Sequence, residues 1–396
     1  MLKARDRRAL QSVATQFFVN GAVVGSILPR LPEIRDAIGA DVGTLGLVLT
    51  LSSLGGLLGS ALCSPIIERF GTKTAMVGGG SALIATLFII GAASSPLMLW
   101  IGLAAMLLFD VVADVAMNMQ ASAISARRPV PVMNRLHGLW SLGTVLGGIL
   151  ASVLASSEVG LQLHLAAVAL VLLATMAFVA PGLLPTRDVR HDPDSPTRTA
   201  PSKAGLVVLV TFAILGAMAM VMEQIAGDWS ALRLTDDLAQ PAGTAALGFV
   251  AYTVGMTVGR FSGDAVLGRI GEDRLIRIGA SVNAAGLAIA FLIDLVPLTL
   301  VGLVIAGLGN SVLFPMLYDQ AAKAPGKAGA GLGAMVAGSR IGALVAPLAV
   351  GTMAATDALS VGSAVAIVTI PGAAVILLVR SLQASARQRP SALSSS

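Results

Sequence analysis

The chain has 396 residues, of which 56% are hydrophobic and only 12% are charged, and its mean hydropathy is +0.86. Soluble domains carry about 25% charged residues, so this composition predicts an integral membrane protein. The net charge of +5 does not indicate a nucleic-acid partner, because the basic residues lie in short stretches between apolar runs. Those runs are about twice the ~10-residue length of a membrane-spanning strand, which favours helices.

Twelve apolar segments are each long enough to be a membrane-spanning helix. In chain order they cover residues 9–28, 43–67, 75–94, 97–125, 137–156, 161–183, 206–227, 243–267, 275–293, 296–318, 328–350 and 359–381. The polar, proline-bearing stretch 185–205 predicts a cytoplasmic linker between an N-terminal bundle (1–184) and a C-terminal bundle with a short tail (206–396). The predicted fold class is therefore an all-α membrane protein with twelve transmembrane helices in two six-helix bundles. Pro315 and Pro347 are expected to bend the tenth and eleventh helices.

The positions of lysine and arginine predict the orientation of the chain. If both termini are cytoplasmic, 21 of the 26 basic residues lie on the cytoplasmic side, and only Arg30, Arg35 and Arg233 lie outside. This excess agrees with the positive-inside rule, so we expect a multi-pass protein of a bacterial cytoplasmic (inner) membrane.

Two arginines fall within the segments themselves. We expect Arg260 and Arg340 to reach the interface or to pair with Asp264 or Asp319, because a charge in hydrocarbon needs water or a partner. Binding of an anionic group is the alternative for both.

The two halves share a sequence repeat at an offset of 200 residues. Its identical pairs are Gly43/Gly243, Thr44/Thr244, Gly55/Gly255, Gly59/Gly259, Arg69/Arg269, Gly71/Gly271, Gly79/Gly279, Ser81/Ser281, Gly102/Gly302, Leu103/Leu303, Leu108/Leu308 and Gly138/Gly338. Parallel six-helix repeats are one plan of secondary transporters, in which the substrate binds at mid-membrane between the halves.

The segment 97–125 contains Asp110, Asp114 and Asn118 at spacings that place them in one stripe of a helix. A carboxylate in hydrocarbon is costly unless it faces water, a partner or a proton, so the stripe predicts a polar pathway. Asp114 is the first candidate for a carboxyl group that gains and loses a proton, with a permanently paired structural acid as the alternative. Asp110 is a second titrating group, a substrate ligand or a cavity-facing acid. Glu223, expected in the outer leaflet, is a titrating group, a substrate ligand, a gate partner of an arginine or an interfacial acid.

Amide and aromatic side chains within the segments are candidates for substrate binding, because amides both donate and accept hydrogen bonds. These candidates are Asn20, Asn118, Gln120, Gln224, Trp140 and Trp229. Each has a structural alternative, which is a helix–helix tie for the amides and an interface anchor for the tryptophans. The sequence contains no nucleotide-binding loop, catalytic triad, metal-ligand spacing or cofactor motif. We therefore expect no enzyme activity, no metal and no cofactor, and a proton gradient as the energy source.

The stretch ERFGTK, residues 68–73, resembles the loop motif between the second and third helices of the major facilitator superfamily. The stretch 268–271 resembles a second copy that has lost the acid. The resemblance covers essentially the whole chain and implies the two-bundle fold, alternating access and a gating role for this loop. The gating-loop candidates are Glu68, Arg69, Gly71, Lys73, Arg269 and Gly271.

Four stretches resemble a narrower group, the fucose–proton symporter-like branch and the YbjJ-type bacterial inner-membrane proteins. They are residues 114–118, 137–143, 222–229 and 310–315. This resemblance implies proton coupling at Asp114 and adds Asn310 and Phe314 to the substrate-binding candidates. The branch also has a proton-linked acid in its first helix, and the segment 9–28 has none.

Together these features predict a proton-coupled secondary active transporter for a small polar solute, for which the resemblance suggests a sugar. A proton-linked exporter of amphipathic compounds is an alternative, because methionines flank the acidic stripe. A non-transporting receptor or scaffold on the same fold is another. The expected partners are the lipid bilayer, a small-molecule substrate and protons, and the protein is expected to be a monomer.

Overall fold

A computed structural model describes residues 4–127, 132–185, 203–324, 330–356 and 358–388. Over these residues the chain is helical, with short turns and no strand. The α-helices are α1 (Ala4–Ile27), α2 (Leu31–Ala37), α3 (Val42–Gly91), α4 (Pro96–Ser125), α5 (Met133–Ser156), α6 (Leu161–Val179), α7 (Lys203–Leu232), α8 (Ala242–Ile270), α9 (Glu272–Leu292), α10 (Val296–Asn310), α11 (Leu313–Ala322), α12 (Ala330–Ala354) and α13 (Val361–Gln388). A π-helical turn, Arg233–Asp237, follows α7. Residues 186–202 of the predicted linker lie outside the described residues.

The described chain has eleven helical stretches that are long and apolar enough to cross a membrane. One of them, α3, has 50 residues and makes two crossings, because its path turns at Gly71. The predicted all-α fold with twelve crossings is therefore confirmed. Since successive crossings alternate in direction, the start of α1, Gly71 and the end of α13 lie at one face of the molecule. We call it the terminus face, and we call the other side the opposite face.

The expected loop at 68–73 is instead a sharp turn between two helical pieces. Only Gly71 leaves the helical conformation there, with φ 81° and ψ 160°. Gly271 has nearly the same dihedral angles, φ 79° and ψ 163°, between α8 and α9. A side chain is strained at such positive φ values, which explains why glycine occupies both turns.

The internal repeat corresponds to repeated packing. An added Cβ at Gly55 of α3 would collide with the main chain of Ala104 in α4, and one at Gly255 of α8 would collide with Val304 in α10. The same offset of 200 residues separates both partners. Because these glycines let two helix backbones approach closely, each half uses the same small-residue contact to join its second and fourth crossings.

The tenth crossing is interrupted rather than bent. The helix α10 ends at Asn310 and α11 begins at Leu313, two residues before Pro315. Proline lacks the N–H that would bond four residues back, and its ring crowds the carbonyl of Ser311. The expected bend at Pro315 is therefore a break, which leaves Asn310 at the end of a helix. Pro347 lies inside the uninterrupted helix α12.

The two halves meet along two helix pairs, α5 with α8 and α3 with α12. Within each half, α1 packs on α5 and α7 packs on α12, which are related positions in the repeat. Large apolar side chains on the outside of the molecule, such as Leu163, Phe178 and Leu378, are exposed, as lipid-facing residues are.

Candidate functional site

The acidic stripe lies halfway along α4 and faces the space between the two halves. Asp110, Asp114 and Asn118 are all partly exposed, whereas Ala113 and Met117 on the other side of the helix are buried. The Asn118 amide donates to the Asp114 carboxylate at 3.0 Å and to the Asp114 main-chain carbonyl at 2.9 Å. The predicted single stripe is therefore present, and Asp114 has an amide partner on its own helix.

A second contact connects the stripe to α1 and α5. The Asn20 amide donates to Oδ1 of Asp110 at 2.9 Å, and the indole N–H of Trp140 donates to Oδ1 of Asn20 at 3.0 Å. Gly21 on α1 lies against the main chain of Trp140, where a Cβ would collide. This close approach brings Asn20 within reach of both partners. Asn20 is buried and both ends of its amide are used, so it orients Asp110 and Trp140.

The C-terminal half contributes a corresponding cluster. Glu223 of α7 forms an ion pair with Arg260 of α8, with Oε1 3.1 Å from Nη2. The amide of Asn310, at the end of α10, donates to Oε2 of Glu223 at 3.4 Å. Phe314, half-buried at the start of α11, lies 5.9 Å from the Tyr318 ring, centroid to centroid.

Two of the sequence expectations for these charged residues are wrong. Arg260 pairs with Glu223, and Asp319 pairs with Lys323, so within the described residues neither Arg260 nor Arg340 pairs with Asp319. Glu223 does not lie close to the end of its helix, as expected, because α7 continues to Leu232 and its π turn to Asp237, beyond the end expected near residue 227. Glu223 consequently lies near the middle of the crossing. The side chain of Asp264, the other expected partner, lies outside the described residues.

Arg260 connects the clusters of the two halves. Its Nη1 lies 3.3 Å from the Ser141 hydroxyl, and its Cζ lies 5.9 Å from the centroid of the Trp140 ring. A continuous chain of polar contacts therefore runs from Asp110 through Asn20, Trp140 and Arg260 to Glu223. It crosses from one bundle to the other at mid-depth. A cation over an indole face is attracted by the ring as well as by the carboxylate.

Three of the predicted ligands lie in other surroundings. Gln120 is fully buried, and its amide bonds to Thr72 and to both main-chain groups of Leu184, so it ties α4 to the end of the first bundle. Trp229 is also fully buried, and its indole N–H has no hydrogen-bond partner among the described residues. Gln224 is partly exposed and lies one helical turn before Asp228. Gln120 and Trp229 therefore have no exposed surface with which to contact a solute.

The family of the chain follows from its sequence profile. The model of the Major Facilitator Superfamily matches residues 13–347. The chain belongs to the Major Facilitator Superfamily. It is accordingly a membrane transporter by family and not an enzyme.

Relatives and solved structures agree with this family. The chain is 30% identical to the membrane protein MosC of Rhizobium meliloti, over 79% of this chain and 75% of MosC. It is 28% identical to an uncharacterised MFS-type transporter of Yersinia pestis, over 78% of this chain and 80% of that protein. The fold is similar to that of the nucleoside transporter NupG, with a TM-score of 0.70 and 12% identity over 98% of this chain and all of NupG. It is also similar to a bacterial homologue of the lysosomal transporter Spinster, solved in an inward-facing and occupied conformation, with a TM-score of 0.67 and 14% identity over 98% of both chains.

In this superfamily member the halves are held together at the opposite face. Arg35 of α2 forms an ion pair with Asp236 of the π turn after α7, and both side chains are largely buried. Nearby, the Ser152 hydroxyl of α5 donates to the main-chain carbonyl of Gly243 at 2.7 Å. The Arg35–Asp236 pair is not predictable from the sequence, because nothing in the sequence shows that a short turn of one half meets the other half.

The two segments that carry Arg35 and Asp236 are each fixed to their own bundle by a buried arginine. Arg30 forms an ion pair with Glu33 and donates to the main-chain carbonyl of Val159 at 2.9 Å. Arg233 pairs with Asp237 at 2.7 Å, and Asp237 also accepts hydrogen bonds from the first turn of α13. The ion pair between the halves therefore joins two firmly attached segments.

The gating-loop candidates make few contacts in this arrangement. The guanidinium of Arg69 lies 5.5 Å from the centroid of the Phe70 ring. Within the described part of the chain, no ion pair is formed by Glu68, Arg69 or Lys73. Gly71 and Gly271 are the turning points described above, and Arg269 lies in the last turn of α8.

Proposed function

We propose that the protein is a proton-coupled secondary transporter of a small polar solute, and that it works by alternating access of a central site. The observation that carries this proposal is the chain of polar contacts from Asp110 to Glu223, which runs through both halves at mid-depth. Such groups are expensive inside a membrane unless they serve a pathway. A site shared by both halves can change its access when the halves move relative to one another.

The contacts of the three acids favour Asp114 as the group that exchanges the proton. Asp110 is held by Asn20, and Glu223 is paired with Arg260. Among the described residues, the Asn118 amide is the only group within hydrogen-bond distance of the Asp114 carboxylate. Gain of a proton at Asp114 therefore breaks no ion pair, whereas protonation of Glu223 would leave Arg260 without its carboxylate.

The partly exposed polar and aromatic groups supply the proposed solute contacts. Asn118 and Gln224 offer amides, and Trp140 and Phe314 offer ring faces, with one amide and one ring from each half. Amides match hydroxyl groups, which both donate and accept hydrogen bonds. Asn20 and Asn310 are nearly fully buried, and they act on the site by holding Asp110 and Glu223 in place.

The distribution of basic residues supports a cytoplasmic terminus face in a bacterial inner membrane. With this orientation, the Arg35–Asp236 ion pair lies on the side of the membrane away from the cytoplasm. The structure is accordingly assigned to a state closed to the outside.

The test uses purified protein reconstituted into vesicles that contain a pH-sensitive dye. A panel of polar solutes is added outside, and solute-dependent acidification of the lumen is measured. Asp114→Asn should abolish this proton movement but retain exchange of solute for solute. Asp319→Asn, which changes an acid that pairs with exposed Lys323, is the matched control and should behave like wild type.

Proton movement in Asp114→Asn equal to that of wild type would remove Asp114 from the mechanism. Outward movement of amphipathic cations, with no response to polar solutes, would favour export instead. That second candidate has one observation in its favour, since Met106 and Met119 flank the stripe and are partly exposed. Absence of any solute-dependent flux would support a receptor or scaffold and contradict the proposal.

A further inference from the structure

The second arginine inside the crossings, Arg340, has surroundings that differ from those of Arg260. It is exposed in the interior of α12, whereas the preceding Ser339 is buried. Its Nη1 lies 3.8 Å from the point where Gly56 of α3 would carry a Cβ, and Leu107 of α4 borders the same point. The guanidinium of Arg340 therefore reaches from the C-terminal half to the acidic side of the N-terminal half.

No carboxylate of the described residues forms an ion pair with Arg340. It acts electrostatically on Asp110 and Asp114 without contacting either. Arg260, by contrast, is neutralised by Glu223 at 3.1 Å. An arginine in a transmembrane helix normally pairs with an acidic group. The unpaired N–H groups of the Arg340 guanidinium therefore indicate that a group from outside the described residues binds them during the transport cycle.

We propose that Arg340 binds a carboxylate of the transported solute, which is therefore an acidic polyol or sugar acid. This inference rests on the proposed function. Guanidinium binds carboxylate through two parallel hydrogen bonds, a geometry that selects a planar anion. The amide of Asn118, one helical turn after Asp114 in the same stripe, suits the neighbouring hydroxyl groups.

The charges around the site connect this binding to the proton. The charged groups that act on Asp114 are Asp110 on its own helix and Arg340 from α12. Glu223 of α7 and Arg260 of α8 lie in the same central space, and His137 of α5 lies close to Arg260. With Asp110 and Asp114 both ionised, an incoming carboxylate meets two negative charges beside one positive charge. A proton on Asp114 removes one of them, so the anion binds after the proton and moves with it.

The test compares matched solutes that differ only in charge. D-glucuronate is compared with D-glucose, and D-galacturonate with D-galactose, by thermal shift of the detergent-solubilised protein and by uptake into vesicles, at neutral and mildly acidic pH. Wild type should prefer the acidic member of a pair, and more so at the lower pH. Arg340→Gln should weaken binding of the acid about 10- to 100-fold, the usual loss when a charged hydrogen bond is removed, while binding of the neutral sugar changes little.

Two variants separate charge from folding. Arg340→Lys keeps the positive charge and should retain part of the preference, although it loses the paired geometry. Arg274→Gln changes an exposed arginine at the start of α9, far from the site, and should leave the preference unchanged. Asp114→Asn should bind the acid equally well at both pH values.

Selection of the neutral member of each pair, or the same acid preference in Arg340→Gln as in wild type, would overturn the inference while leaving proton-coupled transport intact. If neither member of any pair moves or binds, while other polar solutes drive proton entry, the assignment to sugar acids is likewise overturned. Absence of flux with every solute would contradict the proposed function itself, together with the inference.

Discussion

The Arg35–Asp236 ion pair at the opposite face leads to a quantitative prediction about the ratio of the two conformations, one closed and one open at that face. Replacing Arg35 by Gln, or Asp236 by Asn, removes the ion pair that joins α2 to the turn after α7. If alternating access is correct, each variant should shift the population toward a state open at this face. The two changes act on one contact, so the double variant should show no further shift.

The size of the shift can be estimated from the burial of the pair. Fully exposed ion pairs contribute ~0.2–1 kcal/mol, and removing one member of a buried pair costs roughly 3–5 kcal/mol. Arg35 is 11% exposed and Asp236 is 18% exposed, and Arg35 keeps a second carboxylate partner in Asp36 at 2.8 Å. An intermediate value of about 2 kcal/mol corresponds to a change of roughly 30-fold in the ratio of the two states.

The assay is a spin-label distance measurement across the opposite face. Cys63 is the only cysteine, so its replacement by Ala gives a background into which labels can be placed at Gln162 and Leu298. Both positions are exposed near this face, one in each half. A longer distance population should grow in either single variant. Unchanged distance distributions in both variants would refute the conclusion that this pair holds the halves together.

Three further predictions concern stability. Gly271→Ala should lower the melting temperature, because an alanine at φ 79° and ψ 163°, a conformation that is essentially restricted to glycine, costs ~1–3 kcal/mol. Gly268→Ala, at a helical position that is equally open, should not lower it. Gln120→Leu should destabilise the protein by about 1–3 kcal/mol, since buried main-chain groups lose their partner, with little change in the solute concentration needed for half-maximal transport. Asp41 accepts a hydrogen bond from the Thr44 N–H, which lowers the pKa of this carboxyl group. The bond stabilises α3 fully above about pH 4 and is lost as the pH falls through the lowered pKa, so Asp41→Ser should show a smaller decrease in melting temperature on acidification than wild type.

The fold could be predicted from the sequence because its determinants are local. Long apolar runs and the recurrence of glycines at an offset of 200 residues indicate the number of crossings and the relation between halves. Gly55 and Gly255 show this relation directly, because the absence of a side chain at each position lets the main chain of a neighbouring helix approach closely. The spacing of Asp110 and Asp114 likewise determines the face of one helix on which they lie.

Contacts between distant helices were beyond sequence reasoning. The depth of Glu223 within its crossing depends on where α7 ends, and nothing in the apolar pattern showed that this helix continues past residue 227. Asn20 was a candidate from polarity alone, but its two bonds, to Asp110 and Trp140, depend on the packing of three helices. Gln120 has the same residue chemistry as a ligand, and only its burial distinguishes it as a structural tie.

The break between α10 and α11 has a mechanical consequence. Pro315 supplies no N–H to the carbonyl four residues earlier, so the ladder of main-chain bonds that stiffens a helix is interrupted beside Asn310. Bending at this joint therefore costs less than bending an intact rod. Asn310 is hydrogen-bonded to Glu223, so a change of charge at Glu223 acts directly on the end of α10, next to the break. The short helix α11 can then tilt while the rest of its bundle stays rigid.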